Sequence, residues 1–167
     1  MSDIGLPVVY AIVLGIGATA LLDLFSWLRQ RLSGIAAPDF ALVGRWVAHM
    51  GKGRFRHDSI AAAAPVRGER ELGWSVHYLT GIAFASLLLA VWGAGWVRQP
   101  SIAPALIVGV GSVVAPLLLM QPGMGAGIAA RRTRNPWIAR ARSVLTHTVF
   151  GTGLYVSAWA ISAWGPG

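Results

Sequence analysis

A chain of 167 residues that is 55% hydrophobic, only 12% charged and has a mean hydropathy of +0.60 is too apolar for a soluble domain of its length. Its net charge of +8, from 14 Lys and Arg against 6 Asp and Glu, therefore reports on membrane topology before it suggests nucleic acid as a partner. The absence of cysteine excludes disulfides, thiolate catalysis and any cysteine-ligated zinc, iron–sulfur or c-type haem site.

A helix rising about 1.5 Å per residue needs about 20 residues to cross the hydrocarbon. Four segments qualify, at approximately 7–28, 73–97, 101–121 and 143–164, and they predict an all-α, integral membrane four-helix bundle in a single domain over 1–167. The first begins just behind "MSDIG", which carries no basic residue. That leader and the length of the apolar run favour an uncleaved span over a signal peptide, despite the "ATA" at 18–20. Near its end the span contains Asp23, a carboxylate placed where hydrocarbon is expected.

The connection 29–72 holds eight basic side chains and is too long to be structureless. Within it, "PDFALVGRWVAHMGKG" predicts a short helix with Asp39 as its N-cap. Phe40, Val43, Trp46, Val47 and Met50 fall on one face, and Arg45, His49 and Lys52 on the other. This pattern reads as an interfacial amphipathic helix, with Arg45 and Lys52 meeting anionic headgroups. "GKGRFRHDS" lacks the spacing of a phosphate loop, and His49 and His57 lack metal-ligand spacing, so both histidines are expected to be solvated.

The second and third spans are joined by "VRQPS", which makes them antiparallel neighbours. Pro116 interrupts the third span and should free a carbonyl near residue 112, where Ser112 is placed to compensate. The connection 122–142 adds Arg131, Arg132, Arg134, Arg140 and Arg142. Arg131, Arg132 and Arg134 are candidate contacts for a lipid phosphate or an anionic substrate. Thirteen basic residues thus lie in the two long loops and one, Arg98, in the short loop. By the positive-inside rule, both long loops are expected in the cytoplasm and both termini outside.

With that orientation, Asp23, His77, Gln121 and His147 fall at similar depth, one per span, in the cytoplasmic half. Intramembrane ionisable groups must face inward and pair, and they are candidates for function by default. A histidine N–H donated to Asp23 would leave the other ring nitrogen free for a proton, a ligand or a metal. A structural hydrogen-bond cluster accounts for the same layer. Small residues such as Gly15, Gly17, Gly81, Gly109, Gly111, Gly151 and Gly153 predict close helix packing. "GIG" at 15–17 recurs as "GVG" at 109–111, and His77/Gly81 matches His147/Gly151, a short repeat that would make two hairpins related by an axis along the membrane normal. Trp27, Trp46, Trp74, Trp96, Trp137 and Trp164 fall near span ends, as an aromatic belt does.

The strings "GATALLD", "FALVGRW", "GRFRH", "GERELGWSVHY", "MQPGMGAGIAARRTRNP" and "SVLTHTVFGTGLY" resemble those of the bacterial membrane protein family known as domain of unknown function 2938. The resemblance covers almost the whole chain and implies a small bacterial inner-membrane protein; it brings no activity, cofactor or site residue with it. Three readings stay open. One is a ligand- or proton-handling protein using Asp23, His77, Gln121 and His147. Another is a haem b protein with His77 and His147 as axial ligands, which needs no cysteine. The third is a structural subunit bound to a second copy or another membrane protein. No nucleophile elbow, HExxH or nucleotide fingerprint argues for an enzyme.

Overall fold

A computed structural model describes residues 5–164, with side chains through 163. The expected outer ends, 1–4 and 165–167, and the Trp164 side chain lie outside the described residues. The regular elements are helices: α1 (Gly5–Ser33), α2 (Phe40–Met50), α3 (Glu69–Trp92), α4 (Ile102–Gly111), α5 (Gln121–Met124) and α6 (Pro136–Trp164). Four helical stretches, counting the interrupted 102–124 as one, are long and apolar enough to cross a membrane, so the chain is a multi-pass membrane protein. Two compact units share these helices.

The first unit gathers α1, residues 78–92 of α3, α4 and residues 146–164 of α6. Leu14 and Ala18 of α1, Ala85 and Leu88 of α3, Ala105 and Val108 of α4, and Phe150, Leu154 and Ala158 of α6 form its core. In lipid, apolar burial drives helix association little, so the packing depends on how closely the backbones approach. A Cβ on Gly15 would stand 2.9 Å from the Gly81 carbonyl carbon, and one on Gly109 would stand 2.6 Å from the Gly151 nitrogen. The two halves of the short repeat therefore make equivalent crossings, α1 on α3 and α4 on α6.

The α3 helix stops at Trp92 because Gly93 turns to φ +79°, and a short 3₁₀ turn, Ala94–Val97, follows. That turn buries Trp96, expected in the interfacial belt, within the core of this unit. Trp27, Trp74, Trp137 and Trp159 are exposed.

The second unit comprises residues 38–77 and 113–145. Asp39 caps α2 as expected, its Oδ1 accepting from the Ala41 N–H at 3.0 Å. Past α4, the missing N–H of Pro116 breaks the α-helical ladder, and Pro116–Met120 form a wider π-helical turn leading into α5. Ser112 does not compensate the carbonyl released by Pro116; its hydroxyl donates to the Gly109 carbonyl at 2.6 Å. The α6 helix starts at Pro136, earlier than the expected 143, because a proline at N1 loses no hydrogen bond and the Asn135 side chain accepts from the Ile138 N–H at 3.3 Å.

Candidate functional site

Each of the four residues expected in the polar layer is held by a definite neighbour. In the first unit, the Tyr78 hydroxyl donates to Asp23 Oδ2 at 2.9 Å. Both are half-buried, and both lie just beyond the crossing of α1 and α3 at Gly15 and Gly81. The equivalent crossing of α4 and α6 sets Ser112 against His147, with Oγ 2.7 Å from Nδ1.

One hydrogen decides the chemistry of this second pair. The Ser112 hydroxyl gives its hydrogen to the Gly109 carbonyl, an atom that can only accept. The contact with His147 must therefore be an Nδ1–H donated to Oγ. His147 consequently carries a hydrogen on Nδ1, which leaves Nε2 as the ring nitrogen outside this contact.

The other two members of the expected layer belong to the second unit. The His77 ring stacks on Phe40, with centroids 4.1 Å apart and an interplanar angle of 28°, and meets Trp74 edge-on at 5.8 Å. Gln121 donates its Nε2 to Ser143 Oγ at 3.4 Å, while its buried Oε1 has no partner among the described residues.

The second unit also contains a cluster absent from the sequence expectation. The α2 helix buries Gly44, Arg45 and His49, the side assigned to solvent and headgroups. The reversal has a steric and an electrostatic cause. Gly44 and Gly73 let α2 and the start of α3 touch, and Glu69 then meets Arg45 through two bonds, Nε to Oε2 at 2.8 Å and Nη2 to Oε1 at 2.7 Å. Arg45 Nη1 also reaches the carbonyls of Ile60, Ala61 and Ala63 at 3.1–3.4 Å. Hydrogen bonding to Glu69 raises the Arg45 pKa above the ordinary arginine value. Arg45 is thus committed to the protein and not to a headgroup.

His49 and His57, expected to be solvated, are 8% and 6% exposed and lie 2.8 Å apart, Nδ1 to Nε2. The outer nitrogens face the carbonyls of Ala64 at 3.2 Å and Gly123 at 3.4 Å. Trp46, expected at the membrane interface, donates its indole N–H to the Phe55 carbonyl at 3.0 Å and lies against Gly123, where a Cβ would stand 2.6 Å from Nε1. The motifs around "GRW", "GRFRH", "GERELGW" and "QPGMG" thereby supply partners to one another. Lys52, Arg131, Arg132 and Arg134 remain exposed. Arg140 is spent on the Ala129 carbonyl at 2.7 Å and on the Trp137 ring at 5.0 Å. No group of three or more His, Asp or Glu side chains able to hold a metal occurs among the described residues.

No curated protein and no solved structure matches the chain. A family model described as "Protein of unknown function (DUF2938)" matches residues 12–161, which reaches into all four long helical stretches and takes in both loops. The chain belongs to that family.

Proposed function

We propose that this is a proton-handling protein of the bacterial inner membrane, with its two basic loops in the cytoplasm and Nε2 of His147 as the group that takes and releases the proton. The observation that carries the reading is the serine-fixed tautomer. Because Ser112 Oγ is occupied as donor by Gly109 and as acceptor by His147, the ring presents a single basic lone pair from a membrane helix. Asp23 with Tyr78 supplies a second intramembrane pair, on the equivalent crossing of the repeat. An apolar span keeps such groups only where they are paired, and groups so kept are candidates for function by default. The bias of basic residues toward the two long loops supports the orientation.

The test is ¹⁵N NMR of histidine-labelled protein in lipid nanodiscs, together with proton flux in liposomes loaded with a pH-sensitive dye. At neutral pH, His147 is expected as the Nδ1–H tautomer, with Nε2 taking up a proton as the pH falls. Ser112→Ala should mix the tautomers, and His147→Gln should slow dissipation of an imposed pH gradient. An Nε2–H tautomer in the wild type, or equal flux in wild type and His147→Gln, would overturn the proposal. A Soret band in protein from haem-supplied cells, lost in His147→Ala, would assign Nε2 to iron and replace the proton reading.

A further inference from the structure

The buried pair His49 and His57 stands apart from His147 and needs none of the preceding proposal. Its contacts form one line: Gly123 carbonyl, His57 Nδ1, His57 Nε2, His49 Nδ1, His49 Nε2, Ala64 carbonyl. That line contains three contacts, and each requires one hydrogen. Both end groups are carbonyls, which only accept, so both outer nitrogens must be N–H. The central nitrogen-to-nitrogen contact of 2.8 Å needs a third hydrogen. Two neutral imidazoles supply two. Neutral rings would therefore leave one contact as lone pair against lone pair beside two buried rings, the arrangement that buried polar groups avoid.

We infer that His49 and His57 together form a binding site for one extra proton, held between the rings as an imidazole–imidazolium pair, and that this proton joins three segments of the second unit. The segments are α2, the strap 53–64 and the turn at Gly123. Backbone bonds already lie along the same seams: the Arg54 N–H donates to the His49 carbonyl at 3.0 Å, and the His57 N–H to the Gly123 carbonyl at 2.9 Å. The charged groups around the site are Arg45 on α2, Lys52 in the turn that follows it, Arg54, Arg56 and Asp58 on the strap, and Glu69 at the start of α3; residues 121–125 carry none. Arg45 and Glu69 neutralise each other through their paired bonds. The added proton completes a hydrogen-bond line that is otherwise one hydrogen short. It is therefore bound more tightly when the three segments are closed, and closure weakens as rising pH removes it.

The experiment is ¹⁵N NMR of the full-length, histidine-labelled protein, with amide hydrogen exchange measured over the same pH series. At the low end, the two residues should share three ring hydrogens and show a ¹⁵N–¹⁵N coupling across the central hydrogen bond. One hydrogen should then leave in a single step seen at both rings. Exchange at the Arg54 and His57 amides, corrected for intrinsic rates, should rise through that step by roughly 2- to 10-fold, the yield of about one hydrogen bond. His57→Gln keeps a donor and an acceptor without titrating and should abolish the step, while His147→Gln should leave it in place. Two independent single-ring titrations, two ring hydrogens at every pH tested, or a step that survives in His57→Gln would overturn the inference. If His57→Gln fails to fold, the hydrogen count on the wild type decides alone.

Discussion

Asp23 was legible from sequence as an ionisable group inside an apolar run, but its donor was not, because Tyr78 sits beside His77 and a tyrosine at a helix position reads as packing. The structure gives that tyrosine a task. Removing its hydroxyl leaves Asp23 Oδ2 without this donor, whereas removing the charge of Asp23 leaves an oxygen that still accepts. Tyr78→Phe is therefore expected to destabilise the detergent-solubilised protein by about 1–3 kcal/mol, and Asp23→Asn by less. Thermal unfolding of the two variants side by side checks the order. The reverse order would mean that the charge, and not the hydrogen bond, holds α1 at this point. His49 and His57 were illegible for a different reason. Their partners are carbonyls, which every residue possesses, and one of them, on Gly123, lies 66 residues from His57.

The elements themselves were easier to read than the use made of their faces. Four spans, the Asp39 cap and the disturbance at Pro116 follow from length, capping and the missing proline N–H, all local in sequence. The sidedness of α2 does not follow from local pattern. A helix with basic residues on one face and apolar residues on the other looks interfacial until a carboxylate 24 residues away is found to meet its arginine. The small residues at the crossing make that meeting possible: a Cβ on Gly44 would overlap the Glu69 carbonyl and come within 2.6 Å of the Gly73 nitrogen. Both clashes are with backbone, which cannot swing aside. Gly44→Ala is thus expected to push α2 from α3 and lower the midpoint of thermal unfolding by several degrees, with the Arg45 and Glu69 pair broken. Gly111→Ala, with open space around its Cβ, should change the midpoint little. Equal midpoints for the two variants would show that α2 and α3 do not meet at these glycines.

At the scale of the molecule, hydropathy fixes the number of crossings and charge sets their direction, and the two come from different residues. Four crossings put the loops 29–72 and 122–142 on one side and the 98–101 connection on the other. The eight and five basic side chains of the long loops compete with a single Arg98. Although Arg45 and Arg140 are engaged within the protein, Lys52, Arg54, Arg56, Arg131, Arg132 and Arg134 are exposed, so the bias remains available to the membrane potential and to anionic lipid. The chain has no cysteine, so a single introduced thiol reports without background. Ser59→Cys and Ser101→Cys both occupy exposed positions. In intact cells, an impermeant thiol reagent is expected to label Ser101→Cys and spare Ser59→Cys, and both should react once the membrane is opened. Labelling of Ser59→Cys alone would invert the protein. The hydrogen bonds of the His49 and His57 pair would stand unchanged, but the pair would face the pH of the opposite side of the membrane.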